Sequence, residues 1–401
     1  MASETDLTYV IAVHGGAGYH TANESSETEL KKSLRSACRK AMTLFRTGGE
    51  VSAAVNAVVE AIASLEDSPC LNAGHGSNLT LDGNVECDAS IMDGKTGDFG
   101  SVGAITGVKN PVKAARAVLE NSRTNDPVGR IPPLMLVSRG AEQFARVRGV
   151  EMIPPELLIT PRAQRDWERW TERLKPTPYT GFSSTTDPMR TLHDIQDTVG
   201  AVAWDPQGGI AAGVSSGGLL LKQPGRVGEA AIFGAGCWAQ VIDANTDGLC
   251  RKVACSVSGT GEFIMRCLLA KSLAEILVFG EEDSHDVLER ILTQQFYGMW
   301  SSGFYISTYH FFTEYSWNCY LAACRSRGYD EAHAGVLLLE KTTSSTGKIA
   351  PRLWCAFTTD SMAIAYASSF DEKPKAKILR RPPRPATSDK PSVYITALPL
   401  S

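Results

Sequence analysis

Between Ser26 and Thr47 the apolar residues Leu30, Leu34, Ala37, Cys38, Ala41 and Leu44 recur at intervals of three and four. That is the period of one buried helix face, so a helix is predicted there, stopped by Gly48-Gly49. Ser52 to Leu65, rich in Ala and Val, predicts a second helix, and Asn110-Pro111 opens a third that runs to about Asn121, with Pro at the first turn. Further helices are expected after the short strand Leu134 to Val137, up to Val147, and over Gly261 to Phe279 and Asp283 to Phe296. Short apolar or alternating runs predict strands at Leu7 to Val13, Val85 to Met92, Gly103 to Val108, Val199 to Trp204, Ile210 to Ser215 and Lys252 to Ser258. The tail adds Ala334 to Leu339, Arg352 to Phe357, Met362 to Tyr366 and Val393 to Thr396. Strands that follow one another through short turns, with helices in two blocks, predict an α+β fold. The expected architecture is a layered sandwich of antiparallel sheets covered by helices.

The pattern breaks once. From Pro154 to Asp197 prolines punctuate the chain, Arg162 to Lys175 predicts a charged helix bearing Trp, and Gly181 to Arg190 is rich in Ser and Thr. Residues 154–197 therefore read as a flexible linker inside one domain of residues 1–401. Thr198 follows at once, and a strand of small and apolar residues begins behind it.

Composition narrows the class without selecting a function. The chain has 401 residues, 43% hydrophobic and 21% charged, with a formal net charge of −4. These are the values of a globular protein with a large core, and no basic field argues for nucleic acid. No apolar stretch reaches the ~18 residues of a membrane span. Met1 to Leu7 lacks the pattern of a secretory signal, so an intracellular protein is expected. The ten cysteines form no C-x-x-C pair and read as reduced core thiols. The seven histidines show no metal-ligand spacing, so neither metal nor organic cofactor is expected.

Several motifs read better as structure than as chemistry. Gly213-Val214-Ser215-Ser216-Gly217 imitates a serine nucleophile elbow, but the glycines and proline behind it start no helix. Gly234-Ala235-Gly236-Cys237-Trp238-Ala239 lacks the βαβ surround of a dinucleotide loop. Asp82 to Asp88 lacks the glycine of a calcium loop at its sixth position. Lys375 to Arg381 is a basic cluster, either a nuclear signal or a solvated edge.

The chemistry gathers around Asp197-Thr198. If that bond is cut, Thr198 becomes an N-terminus whose hydroxyl is the nucleophile and whose α-amine is the base. An α-amine titrates at about 7.7–8.0, close to neutral pH. Arg226 lies among glycines, where its guanidinium fork suits a carboxylate. Ser256 to Glu262 closes a strand and opens a helix, a place where backbone N–H groups can face an oxyanion.

These pieces, in this order, resemble the asparaginase/isoaspartyl-peptidase group of N-terminal-nucleophile hydrolases. They are His14 to Gly18, Asn72 to Leu79, Glu86 to Gly94, Gly129 to Pro133, Val214 to Gly218 and Gly234 to Ala239. Within the group they resemble the taspases, the threonine aspartases, and the resemblance implies an α+β fold, an αββα sandwich of two mainly antiparallel sheets covered by helices. The resemblance implies Thr198 as nucleophile, Ser216 as a second hydroxyl beside it, Ser258 and Gly259 as oxyanion contacts, and Asn72 next to the nucleophile. It also implies substrate binding by Arg226, Glu229 and Gly261. Asparaginases carry Asp where this chain has Glu229, and Gly where it has Asp197. Both departures point to a self-cleaving endopeptidase cutting after Asp, with an asparaginase or isoaspartyl dipeptidase as the alternative. The zymogen would yield an α subunit of residues 1–197 and a β subunit of residues 198–401, held together as a heterodimer, with a homo-oligomer of αβ units expected. Implied protein substrates are methyltransferase and transcription factor precursors carrying an internal Asp, in nucleus and cytoplasm. The nuclear signal of that family is diluted here by Asp166, Glu168 and Glu172. No nucleic acid or membrane partner is implied.

Overall fold

A computed structural model describes residues 7–20, 23–47, 52–174, 198–242, 250–280, 282–296, 333–343, 349–382 and 392–400. Thirteen strands and eight α-helices are described within them. Strands β1 (Val10–Gly18), β2 (Cys87–Asp93), β3 (Phe99–Ile105), β4 (Met135–Val137), β5 (Val199–Trp204), β6 (Ile210–Ser216), β11 (Ser361–Ser368) and β12 (Lys375–Arg380) form one sheet. Its order is β12-β11-β1-β5-β6-β2-β3-β4, antiparallel except for the β3–β4 edge. The second sheet is fully antiparallel, in the order β13-β10-β9-β8-β7. It comprises β7 (Cys237–Ile242), β8 (Cys250–Gly259), β9 (Ala334–Thr343), β10 (Ile349–Phe357) and β13 (Tyr394–Leu398).

Period-two alternation on the central strands decides what lies between the sheets. On β5, Ala201 and Ala203 join the core under the outer helices, whereas Val202 and Trp204 join the core that faces the second sheet. On β6, Ala211 takes the helix side and Ile210, Ala212 and Val214 the inter-sheet side. Ser216 and Thr198 continue the inter-sheet phase of their strands. Helices α1 (Glu24–Thr47), α2 (Ala53–Glu66) and α3 (Pro111–Ser122) cover the first sheet, and α7 (Leu269–Phe279) covers the second. The expected four-layer α+β sandwich is the fold observed.

Local departures have local causes. The glycine loop expected at His14 to Gly18 is part of β1: pairing with β11 resumes at Ala17 after an irregularity between His14 and Ala17. The long helix expected over Gly261 to Phe279 is two, α6 (Gly261–Cys267) and α7, because Leu268 is left-handed at φ 46°. The 234–235 turn accounts for the break: its carbonyls take the Ala270 and Lys271 N–H groups that would continue one helix. The helix expected to run through Phe296 is α8 (Ser284–Arg290) followed by a π-turn over Ile291–Gln295. Strands β7 and β12 escaped the sequence pattern. The basic cluster is edge strand β12, where Arg380 pairs with Glu27 at 2.6 Å and Lys375 with Asp371 at 2.8 Å. Helix α4 (Ser138–Val147) follows β4 as expected.

Of the segment 154–197, Pro155–Leu158 forms a 3₁₀ turn and Pro161–Leu174 forms α5. Trp167 donates its indole N–H to the Thr80 carbonyl at 2.9 Å, and Arg162 donates to the Gly76 carbonyl at 2.7 Å. These bonds tie α5 to the loop that starts at Asn72. Residues 175–197, including Asp197, lie outside the described residues, as do the glycines expected to stop α1 and Cys319 and Cys324. The eight described cysteines are free thiols, and among the described residues no helix is long and apolar enough to cross a membrane.

The sheet packs on α3 with no room to spare at Gly100, where an added Cβ would strike the backbone of Ala115 and Leu119. Backbone atoms cannot rotate away, so Gly100→Ala is expected to cost about 1–3 kcal/mol in a denaturant melt. A wild-type midpoint would show that α3 is free to shift.

Candidate active site

Thr198 stands just before β5, 4% exposed, and its hydroxyl lies between two side chains. Its Oγ1 is 3.0 Å from the Ser216 hydroxyl at the end of β6 and 3.0 Å from Glu229 Oε1. The Thr198 carbonyl accepts a hydrogen bond from His14 Nδ1 at 3.0 Å. A carbonyl can only accept, so Nδ1 carries a proton; Nε2 lies 2.8 Å from Ser256 Oγ, which is also 3.0 Å from the Gly213 carbonyl. Burial holds the His14 pKa down, to about 4, against the opposing pull of that carbonyl, so the ring is neutral near pH 7. This contact needs the glycine at position 200, because a Cβ there would collide with Ser256 Oγ.

Arg226 and Glu229 arrive on the segment that leaves β6. Lys222 Nζ donates to the Glu86 carbonyl at 2.7 Å, and Glu86 Oε2 accepts from Gly225 N–H at 2.8 Å. Asp88 on β2 accepts from Gly228 N–H at 2.7 Å and from Ala104 N–H at 2.8 Å. The segment is thus pinned on both sides of Arg226. The Arg226 guanidinium pairs with Glu262, the second residue of α6, at 2.8 Å. Glu229 is buried, and burial raises its pKa to about 7. The Arg226 charge and the Thr198 hydroxyl oppose that rise, and the Asp88 charge adds to it.

The loop before β2 closes the site. Asn72 Nδ2 and Asn78 Nδ2 both donate to the Gly218 carbonyl at 2.9 Å, and Asn72 Oδ1 accepts from Asn78 N–H at 2.8 Å. Gly218, at φ +70°, donates its N–H to Ser216 Oγ at 3.0 Å, so the second hydroxyl is held as well. The result is a small pocket lined by Asn72, Thr198, Ser216, Gly218, Leu219, Arg226, Glu229, Gly259 and Gly261.

Seven of the residues expected at the site therefore share one cavity, although they come from distant parts of the chain. Ser258 is not among its lining: its hydroxyl accepts from Ala17 N–H at 3.1 Å and it is fully buried. Asp197 lies outside the described residues. Sequence reading missed His14 as a side chain at the site, Asp88 and Glu86 as anchors, and Glu262 as the partner of Arg226. The first three sit inside segments quoted for the resemblance, but nothing in their spacing assigned them partners. The elbow serine, Ser215, faces the other way and donates to buried Glu66 at 2.6 Å. The Asp82 to Asp88 stretch is a turn at Gly83 (φ +77°), covered by Trp167, and then β2. One trio of possible metal ligands occurs among the described residues, His285, Asp286 and Glu289, exposed on α8 and no part of the cavity.

Two mainly antiparallel sheets between helical layers, with a threonine at the head of a central strand facing an acid and a second hydroxyl in a pocket that a cationic arginine also lines, define an N-terminal-nucleophile hydrolase architecture. The chain belongs to the asparaginase family (Asparaginase_2), whose model matches residues 7–299. It is 38% identical over 262 residues to the isoaspartyl peptidase/L-asparaginase of Danio rerio, covering 65% of this chain and 74% of that protein. It is 34% identical over 306 residues to the isoaspartyl peptidase of Escherichia coli strain K12, covering 75% and 87%. Against the plant-type L-asparaginase of Thermococcus kodakarensis it is 36% identical over 272 residues, covering 67% and 80%. These relatives are isoaspartyl peptidases and asparaginases, so they support the broad family expectation and not the threonine aspartase branch.

Gly261 keeps the cavity open. A Cβ there would strike Glu229 Oε2 and stand 2.8 Å from Arg226 Nη2, both movable side-chain ends. Gly261→Ala should therefore keep the wild-type melting temperature within a few degrees while lowering kcat/KM at least ~10-fold, an amount equal to about 1.4 kcal/mol. Unchanged kinetics in the folded variant would remove Gly261 from the substrate wall.

Proposed function

We propose that this chain is a threonine-nucleophile hydrolase of small β-aspartyl compounds, L-asparagine and isoaspartyl dipeptides. One observation carries the reading: the Arg226 guanidinium and the Glu229 carboxylate line the same pocket as the Thr198 hydroxyl, with Glu229 Oε1 3.0 Å from it. Such a pair complements the head group of a free α-amino acid. Arg226 takes the α-carboxylate in a charge-assisted fork and Glu229 takes the α-ammonium. With the head group so held, the side-chain carbonyl is directed to Thr198. The names of the relatives point the same way.

The reaction begins with scission of Asp197-Thr198. The new α-amine accepts the Thr198 hydroxyl proton, and Oγ1 attacks the amide carbonyl. Ser216 hydrogen-bonds the nucleophile. N–H groups near Gly259 stabilise the oxyanion, where losing one donor typically costs about 3–4 kcal/mol. Ammonia or an amino acid leaves, and water hydrolyses the β-aspartyl ester.

A second reading has a specific observation behind it. The residue before Thr198 is an aspartate, so the chain's own scissile bond is an Asp–X bond. An enzyme that cuts itself after Asp has the recognition elements of a threonine aspartase, with Arg226 holding the Asp side chain. Its protein substrates would be regulator precursors of the nucleus, and either reading allows homo-oligomers of αβ units.

One measurement tests the self-scission that both readings require, and a second separates them. Denaturing electrophoresis should resolve fragments of 197 and 204 residues, and Thr198→Ala should give one intact, inactive chain. Mature enzyme should hydrolyse L-asparagine or a β-aspartyl dipeptide with kcat/KM at least ~100-fold above that on a peptide containing Gln-Asp-Thr-Val-Gly, about 2.7 kcal/mol of selectivity. The reverse ranking selects the endopeptidase.

A further inference from the structure

We propose that Glu229 is the base for self-scission, taking the Thr198 hydroxyl proton while the Thr198 nitrogen is still part of a peptide bond. This rests on the self-cleavage reading above and assigns a step which that reading leaves without a base. An α-amine serves a mature N-terminal threonine, but before scission the same nitrogen is an amide and has no basic lone pair. The precursor must therefore use another group.

Among the described residues, three side chains hydrogen-bond Thr198. Ser216 Oγ, 3.0 Å from Oγ1, is a hydroxyl and no base at neutral pH. His14 engages the Thr198 carbonyl through Nδ1 and has its other nitrogen on Ser256. Among the described residues, only Glu229 offers a carboxylate oxygen to the hydroxyl itself, at 3.0 Å, within the reach required of a general base.

The charges around Glu229 come from four directions. Arg226 precedes it on the same segment, Asp88 faces it from β2, Lys222 acts on Asp88, and Glu262 on α6 ties up part of the Arg226 charge. Burial outweighs them and lifts the carboxyl to about 7. It is therefore both ionised enough to act and basic enough to accept a proton near neutrality.

The step balances without a co-reactant. The proton passes from Oγ1 to Glu229 Oε1, and Oγ1 bonds to the Asp197 carbonyl carbon, placing an electron pair on the carbonyl oxygen. Collapse breaks the bond to the Thr198 nitrogen, which receives the proton back from Glu229. An ester links Asp197 to Oγ1. Water then delivers hydroxide to the carbonyl carbon and a proton to Oγ1. Afterwards the free α-amine is the base, and Glu229 is released to bind a substrate ammonium.

The test follows conversion of the full 401-residue chain, made in a cell-free system, into its two fragments between pH 5.5 and 8.5. Wild-type scission should quicken as pH rises through about 7 and level off above it, because the ionised carboxylate is the active form. Glu229→Gln should slow scission about 10²- to 10⁴-fold and flatten the profile. Glu229→Ala, with folding verified by circular dichroism, should be slow in buffer and accelerated by added formate. A Gln variant that cleaves at the wild-type rate with the wild-type profile overturns the base assignment alone. A folded Ala variant that formate does not accelerate also counts against it, by reducing Glu229 to a structural part. A wild-type chain that stays whole overturns this proposal together with the self-cleavage reading.

Discussion

A carboxylate buried against a hydroxyl is the constraint on which this site is organised. Removing a charged carboxylate from water costs several kcal/mol unless charge or hydrogen bonds return. Glu229 receives a little of each: the Arg226 charge, the Thr198 hydroxyl and no full ion pair. Arg226 is shared with Glu262, so it cannot neutralise Glu229 completely. Asp88, fixed by the N–H groups of Gly228 and Ala104, adds a second negative group behind it. The incomplete compensation keeps Glu229 near the midpoint of its titration at neutral pH, where a carboxyl can exchange protons.

The scaffold supplies rigidity for that balance. Thr198 is anchored through its carbonyl to His14 on β1, and His14 is packed against Ser256 on β8, so both sheets fix the position of the nucleophile. The close approach is possible because Gly200 has no side chain to separate them. From the other flank, Asn72 and Asn78 grip the Gly218 carbonyl, which sets the turn after Ser216. A site held by strands and backbone bonds loses little on substrate binding, as pre-organised electrostatics require.

Legibility followed range. Helices α1, α2 and α3 and strand β5 were readable because their periodicity and capping prolines act locally. Leu268 was not: the helix break depends on carbonyls of residues 234–235, more than thirty positions away. Strand β12 was hidden because Lys375, Lys377 and Arg380 read as solvent-facing charge, and only pairing with β11 makes the segment a strand. At the site, Thr198, Ser216, Arg226 and Glu229 were nameable from motif order. The 3.0 Å approach of Glu229 to Thr198 was not, since it arises from a segment pinned by Glu86 and Asp88. Motifs announce which residue types gather, whereas tertiary hydrogen bonds decide which atom faces which.

That distinction bears on how the acid at position 229 is read. Taken as a letter in the sequence, Glu in place of Asp argues against an ammonium pocket. Taken as geometry, the carboxylate still faces the cavity beside Arg226, so the pair of opposite charges that fits an amino-acid head group is retained. The longer side chain changes something else: it reaches the nucleophile. One oxygen touches Oγ1, and the other abuts Gly261 on the wall of the cavity. A ligand ammonium entering from that side would compete for the carboxylate with the Thr198 hydroxyl, and by adding positive charge it would favour the ionised form. On the proposed reading one carboxyl group therefore serves the hydroxyl in the precursor and the substrate ammonium in the mature enzyme, a dual use that a shorter acid with no contact to the hydroxyl would lack.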